Sequence, residues 1–226
     1  METKPYELSH EDSLRLNVLM AGGVQAVRID ESSMVLYALT ERGEAKVTLS
    51  PNTSNDQYLR RVREFLAGFT LGSPGGYPVF LQRWTRMGQA RDQGLDKLLT
   101  LGETEAVISV AYSNGLTDEL ARRAWWALPL ADNARRMLER DCVAQGTMGP
   151  VLADFLIEHL PFEQDPHILI DTVRIVLQPG LASQEARLRL WKMAKHHNAY
   201  YVGFLERSPD DLPDPLPARA DFAKLE

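Results

Sequence analysis

The chain has 226 residues, of which 44% are hydrophobic, and a formal net charge of −6 at pH 7. This length and composition allow a sizeable buried core and favour two unequal parts. A single cysteine, Cys142, excludes an internal disulfide framework and a zinc site built on thiolates. The polar opening METKPYELSHED and the shortness of every apolar run predict a cytoplasmic protein without a membrane-spanning segment.

A short helix and a small sheet are predicted first along the chain. Ser9 is the expected N-cap, Leu14, Val18 and Leu19 recur at helical spacing, and Gly22-Gly23 is the stop signal. The segments VQAVRID, SMVLYALT and AKVTLS then predict an antiparallel three-stranded meander over residues 24–50, with a hairpin turn at residues 41–44.

An arginine-rich segment follows the sheet. Asn55 or Asp56 can cap a helix that runs to about Gly68, and residues 57–91 carry six arginines against one acid, Glu64. The glycine-rich GSPGGYP lacks the lysine and hydroxyl of a phosphate-binding loop, so a structural turn is predicted there. The arginines either anchor this segment to the rest of the fold or contact nucleic acid, and the isolated Trp84 favours anchoring.

Charge counts limit the nucleic-acid alternative to this segment. Residues 1–94 hold eleven basic and eleven acidic groups, whereas residues 95–226 hold fourteen basic and twenty acidic. A general nucleic-acid-binding protein would present a broad basic face. Only the segment Arg60–Arg91 therefore remains a candidate for such contact.

From Leu95 onward the pattern predicts short helices separated by glycine and proline. Leu128-Pro129 and Leu160-Pro161 recur 32 residues apart, which is compatible with stacked helix pairs of the HEAT or armadillo kind. Asp165-Pro166 predicts a capped helix start, and VLADFLIEHL is predicted to be buried.

The helix in LTDELARRAWWALP has apolar groups on two sides. Leu120, Ala124, Ala127 and Leu128 share one face, while Trp126 lies opposite with Arg122. This pattern predicts a helix packed on both faces, or else an exposed Trp126/Arg122 contact for a partner.

The predicted fold is α+β and predominantly α, with a small N-terminal antiparallel three-stranded sheet followed by a helical array. The predicted regions are residues 1–94 (sheet with the arginine-rich helix and loop), residues 95–207 (HEAT- or armadillo-like helix pairs) and residues 208–226. The last region, with four prolines in SPDDLPDPLPAR, is predicted to be an extended linker or tail, and globular structure is expected to end near Arg207.

No catalytic, cofactor-binding or metal-ligating residue is predicted. The nucleotide and hydrolase signatures are missing, and the adjacent His196 and His197 diverge by about 100° on a helix, which does not suit a shared metal ion. Cys142, expected just past the end of a helix, is interpreted as a partly buried structural cysteine, with a persulfide-carrying thiol as the alternative.

Several long strings give the chain a family resemblance. LRLNVL, VRIDESSM, ERGEAKV, QYLRRVREFL, GSPGGYPVFLQRWTRMGQAR, LTDELARRAWWALP, NARRMLER and YYVGFLERSPDDLP run from about Leu8 to Leu212. In these strings the chain resembles the DsrS family, accessory proteins encoded with the dissimilatory sulfite reductase system of sulfur-oxidising bacteria. The resemblance implies a cytoplasmic, non-enzymatic protein that supports oxidation of stored sulfur, through control of gene expression or contact with protein components of that system. It supplies no catalytic or binding residues.

The function predicted from the sequence is therefore that of a non-catalytic accessory protein, with contact to nucleic acid and persulfide transfer through Cys142 as alternatives. No cofactor is predicted. The candidate interaction residues are Arg60, Arg61, Arg63, Arg83, Trp84, Arg86, Arg122 and Trp126.

Overall fold

The structure, a computed structural model, describes residues 8–72 and 94–214. It confirms the predicted α+β, predominantly α fold with a small N-terminal sheet. The chain forms two compact units, Met1–Met137 and Leu138–Glu226, called here the N-terminal and C-terminal units. The boundaries of these units differ from the predicted regions, which are residues 1–94, 95–207 and 208–226. That predicted division stays a prediction.

The described residues of the N-terminal unit form a sheet, with helices before and after it along the chain. Its elements are α1 (His10–Ala21), β1 (Val24–Asp30), β2 (Val35–Thr40), β3 (Gly43–Thr48), α2 (Asn55–Leu71), α3 (Leu95–Leu98), α4 (Thr104–Ala111) and α5 (Asp118–Ala127). Helix α6 (Ala131–Leu138) ends at the first residue of the C-terminal unit.

The sheet is the predicted antiparallel meander, in the order β1-β2-β3. Ala38 at its centre pairs with Val27 on one side and Ala45 on the other. The turn between β1 and β2 is held by Asp30, whose carboxylate accepts hydrogen bonds from the amides and hydroxyls of Ser32 and Ser33. These bonds lower the pKa of Asp30 to about 2, and the bond from the Ser32 hydroxyl contributes most to the lowering.

Helix α1 is capped as predicted, and most of the apolar residues that indicate it lie outside its buried face. The Ser9 hydroxyl accepts a hydrogen bond from the amide of Asp12, as an N-cap should. The buried side, however, consists of Asp12, Leu16 and Met20. Leu14 and Val18 are 60% and 68% exposed. The spacing of the apolar residues thus identified the helix correctly but does not mark its buried face.

The core of the N-terminal unit lies between α1, α2 and one face of the sheet. Leu16 of α1, Leu36 of β2 and Val62 of α2 are fully buried in the same cluster. Helix α2 extends to Leu71, three residues beyond the predicted end at Gly68, and Gly72 ends it in the left-handed conformation.

The C-terminal unit contains only helices among its described residues, 138–214. They are α7 (Asp141–Ala144), α8 (Met148–His159), a 3₁₀ turn (Leu160–Phe162), α9 (Pro166–Val176), α10 (Gln184–Met193) and α11 (Asn198–Arg207). The Asp165 cap is confirmed, because its carboxylate accepts a hydrogen bond from the His167 amide. The HEAT- or armadillo-like arrangement stays a prediction.

Two details of this unit differ from expectation. Val151 in α8 is 49% exposed, although Leu152 and Leu156 are buried, so VLADFLIEHL is not buried all round. Helix α11 ends at Arg207 as predicted, yet the chain beyond it still makes contacts. Arg187 of α10 donates hydrogen bonds to the carboxylate and the backbone carbonyl of Asp211, both at 2.8 Å.

Helices α9 and α11 pack closely at a glycine. A methyl group added to Gly203 would lie 2.7 Å from the Val173 Cβ, so only glycine allows this approach without adjustment. The neighbouring Phe204 is fully buried, and its ring meets Trp191 edge-on at 5.0 Å between centroids. Within residues 8–72 and 94–214, no helix has the length and apolarity needed to cross a membrane.

Candidate functional site

The described arginines of the arginine-rich segment are bound to groups of the chain itself. Arg60 and Arg61 both donate hydrogen bonds to the carboxylate of Glu64, one turn further along α2. Arg63 donates to Glu31 in the β1–β2 turn and, at 3.2 Å, to the carbonyl of Gly102. This geometry matches the anchoring interpretation, because Arg63 ties α2 to two separate segments of the N-terminal unit.

Arg83, Trp84 and Arg86 lie outside the described residues, as do Arg91 and the GSPGGYP turn after its first residue, Gly72. Contact with nucleic acid through Arg60–Arg91 stays a prediction. It implies binding that weakens steeply with salt.

Arg122 and Trp126 point toward the sheet. The guanidinium of Arg28 on β1 lies between the rings of Tyr37 and Trp126, 4.9 and 4.8 Å from their centroids. Glu44 on β3 accepts hydrogen bonds at 3.0 Å from both Arg28 and the Trp126 indole. We call Arg28, Tyr37, Glu44 and Trp126 the Arg28 cluster.

Arg122 connects the same helix to the start of β1. Its guanidinium donates a hydrogen bond to the Gln25 side chain at 3.1 Å and two more to Glu119. The bonds from Arg122, and then those from Arg123, lower the pKa of Glu119 to about 2. The two side chains proposed from the sequence as a partner contact therefore make contacts within the N-terminal unit, as a helix packed on both faces would.

We expect the Trp126→Ala variant to lower the free energy of unfolding by about 2 kcal/mol, because it removes a cation–π contact and a hydrogen bond at once. Trp126→Phe keeps a ring over Arg28 and should cost about half as much. Urea unfolding followed by circular dichroism measures both variants. Equal stability of Trp126→Ala and the wild type would show that the Arg28 cluster does not hold α5 against the sheet.

The candidate for sulfur chemistry is exposed. Cys142 lies in the first turn of the short helix α7, not in the partly buried position expected after a helix end. A four-residue helix of this kind gives no defined anion or thiolate site. The persulfide alternative stays a prediction.

Polar groups of the C-terminal unit meet at a cavity of about 320 Å³ lined by His196, His197, Glu163 and Tyr200. Burial raises the pKa of the Tyr200 hydroxyl. Across the described ranges, no group of three histidine, cysteine or acidic side chains is arranged to hold a metal ion. The described side chains of the cavity therefore form no metal-binding group of this kind.

An exposed apolar feature of the N-terminal unit lies along α1 and β3. Leu14, Arg15, Val18 and Leu19 of α1 and residues 46–48 of β3 line a groove of about 620 Å³. We call it the α1–β3 groove. Leu14 and Val18, one turn apart, form its apolar wall. Neighbouring exposed apolar side chains beside a groove make this surface a candidate for contact with another molecule.

Comparison with protein-family models, with curated proteins and with solved structures gives no significant match.

Sequence reasoning missed both the Arg28 cluster and the α1–β3 groove. The pairing of Arg28 with Tyr37 follows from the strand register, which the turn positions nearly fix. The contact between Glu44 and Trp126 joins residues 82 positions apart, and no local pattern signals it. The helical spacing of Leu14, Val18 and Leu19 predicts the helix but gives no sign that Leu14 and Val18 are exposed beside β3.

Proposed function

We propose that this chain is a DsrS-like, non-catalytic accessory protein that supports dissimilatory sulfur oxidation in the cytoplasm. It acts through contacts with protein components of that system or through control of expression of its genes. The resemblance of the strings between Leu8 and Leu212 supports the pathway.

The α1–β3 groove is the observation that supports action through contact with another protein. Leu14 and Val18 expose more than half of their surface although α1 has a well-packed opposite side with Leu16 fully buried. Apolar side chains left in water beside a groove gain free energy when another protein covers them. A binding function needs no reacting groups, and the groove supplies the surface.

Affinity capture tests this proposal. The full chain, immobilised by a tag, is expected to enrich sulfur-oxidation proteins from extracts of the native host grown on reduced sulfur, as quantified by mass spectrometry. The Leu14→Ser/Val18→Ser variant should lose this enrichment, because serine removes the apolar wall without touching the core. The matched control is Leu188→Ser/Leu205→Ser, which replaces exposed leucines of the C-terminal unit (40% and 52% exposed) and should capture the same proteins.

Capture of no sulfur-oxidation component at any salt concentration would contradict the proposal. Transcript levels of the sulfur-oxidation genes in a deletion strain separate the two modes of action. Unchanged transcripts with impaired oxidation of stored sulfur would indicate direct protein contact, and lowered transcripts would indicate control of expression.

A further inference from the structure

Strand β3 forms one edge of the sheet, and its register with β2 determines which of its backbone groups face outward. In an antiparallel ladder, alternate residues direct their N–H and C=O groups to the neighbouring strand and the others direct them away. The two-residue turn between Thr40 and Gly43 places Gly43, Ala45 and Val47 in hydrogen-bonded positions against β2. The Leu49 amide continues this row by donating to the Met34 carbonyl at 2.8 Å. The outward row is therefore Glu44, Lys46 and Thr48.

Other outward groups of this sheet have partners within the N-terminal unit. On the opposite edge, the outward amide of Val27 donates to the Leu99 carbonyl at 2.8 Å. Just past the end of β3, the Ser50 amide donates to the buried carboxylate of Asp12, also at 2.8 Å. Among residues 8–72 and 94–214, no hydrogen bond engages the outward amides of Lys46 and Thr48. These two residues leave an open segment of strand edge.

The open segment runs along the α1–β3 groove. Residues 46–48 line one side of the groove and the exposed face of α1, with Leu14 and Val18, lines the other. A groove between a strand edge and a helix accommodates one extended chain, whose backbone bonds the edge while alternate side chains contact the helix. A bound helix would leave the outward amides without partners.

The charges beside the groove also indicate what kind of segment would bind there. Lys46 is exposed and forms no ion pair within the described residues, whereas Arg15 across the groove is paired with Glu11. Residues directly opposite in paired strands lie on the same face of the sheet. An incoming strand would therefore place one residue beside the Lys46 ammonium and its two neighbours toward α1.

We propose that the α1–β3 groove binds an extended segment of a partner protein as a fourth strand on β3. The segment has an acidic residue opposite Lys46 and apolar residues on both sides of it, which pack against Leu14 and Val18. This inference deepens the proposed function by naming its surface, and it rests on that proposal only for the identity of the partner.

A random dodecapeptide library displayed on phage, selected on the immobilised full chain, provides the probe. We expect enriched sequences that alternate apolar and acidic residues. A labelled synthetic peptide of the enriched sequence should bind with an affinity that falls about tenfold in Thr48→Pro, because proline removes the outward N–H and leaves the β2 ladder intact. Thr48→Ala is the matched control, since it keeps that N–H, and should bind within about twofold of the wild type.

Two further variants make the test independent of the proline. Lys46→Glu should lower affinity by about fivefold or more, since it puts like charges opposite each other. Val18→Asp should lower affinity similarly at a position that is already exposed. Circular dichroism verifies that each variant is folded.

Three outcomes would overturn the inference. They are no enrichment of peptides, binding to Thr48→Pro, Lys46→Glu and Val18→Asp that equals binding to the wild type, or self-association that Thr48→Pro abolishes in sedimentation experiments. The last result would assign the edge to a second copy of the chain. Peptide binding without capture of any sulfur-oxidation component would leave the inference standing and contradict the proposed function. Capture of sulfur-oxidation components without peptide binding would support the proposed function and overturn the inference.

Discussion

Replacing Asp12 with alanine is expected to lower the free energy of unfolding by about 3 kcal/mol. Asp12 is fully buried, and one of its oxygens accepts hydrogen bonds from the Ser50 amide and the Tyr58 hydroxyl. Burial raises the pKa of the Tyr58 hydroxyl, and its hydrogen bond to Asp12 raises that pKa further. Alanine would leave the buried Tyr58 hydroxyl without its acceptor and would also remove the acceptor of the partly buried Ser50 amide. A buried donor without an acceptor is costly. Urea unfolding followed by circular dichroism gives the value.

Glu11→Ala is the matched control, because Glu11 also lies in the first turn of α1 but is exposed to solvent. It should change stability by less than about 0.5 kcal/mol. Tyr58→Phe removes only one of the two donors and is expected to cost about 1 kcal/mol. If Asp12→Ala were as mild as Glu11→Ala, the desolvation of the carboxylate would cancel its hydrogen bonds.

Gly203→Ala should destabilise the C-terminal unit by about 2 to 3 kcal/mol. The added methyl group would lie 2.7 Å from the Val173 Cβ and 2.9 Å from the Ile170 carbonyl oxygen. The backbone of α9 cannot move away without loosening the contacts of Tyr200 and Phe204, which are both fully buried in α11. Thermal and urea unfolding of the variant measure the loss.

Gly68→Ala provides the contrast, because a methyl group there meets no atom within 4 Å and Gly68 lies inside α2. Alanine should raise stability by about 0.5 to 1 kcal/mol at this position. Val173→Ala keeps the Val173 Cβ and the Ile170 carbonyl oxygen in place, so it should not rescue Gly203→Ala, and the double variant should be at least as destabilised as Gly203→Ala. A neutral Gly203→Ala would mean that the two helices separate at little cost.

Local signals in the sequence were sufficient for most of the elements, although the N-cap of α2 is Ser54 and not the predicted Asn55 or Asp56. The three strands, the Ser9 and Asp165 caps and the hairpin turn each depend on a few neighbouring residues, and the structure has them where the pattern predicts. Short-range preferences of turns and caps do not change much with tertiary context.

Faces and contacts were harder to predict because they depend on distant residues. In α1 the buried side includes the charged Asp12, which a pattern of apolar residues assigns to solvent. Ser50 and Tyr58, brought by the chain after the sheet and by α2, donate the hydrogen bonds that make its burial favourable. For the same reason the exposed side of α1, with Leu14 and Val18, could not be recognised as part of a candidate site before the fold was known.

The contacts of Asp12 also determine when the first helix can become stable during synthesis. Ser50 and Tyr58 follow Asp12 by 38 and 46 residues. At about 5 to 20 residues per second, a ribosome adds Tyr58 roughly two to nine seconds after Asp12. Until then α1 is an isolated 12-residue helix, a length that is marginal in water. Helix α1 can therefore become fixed only after the start of α2 has been made, although α1 itself precedes the whole sheet in the chain.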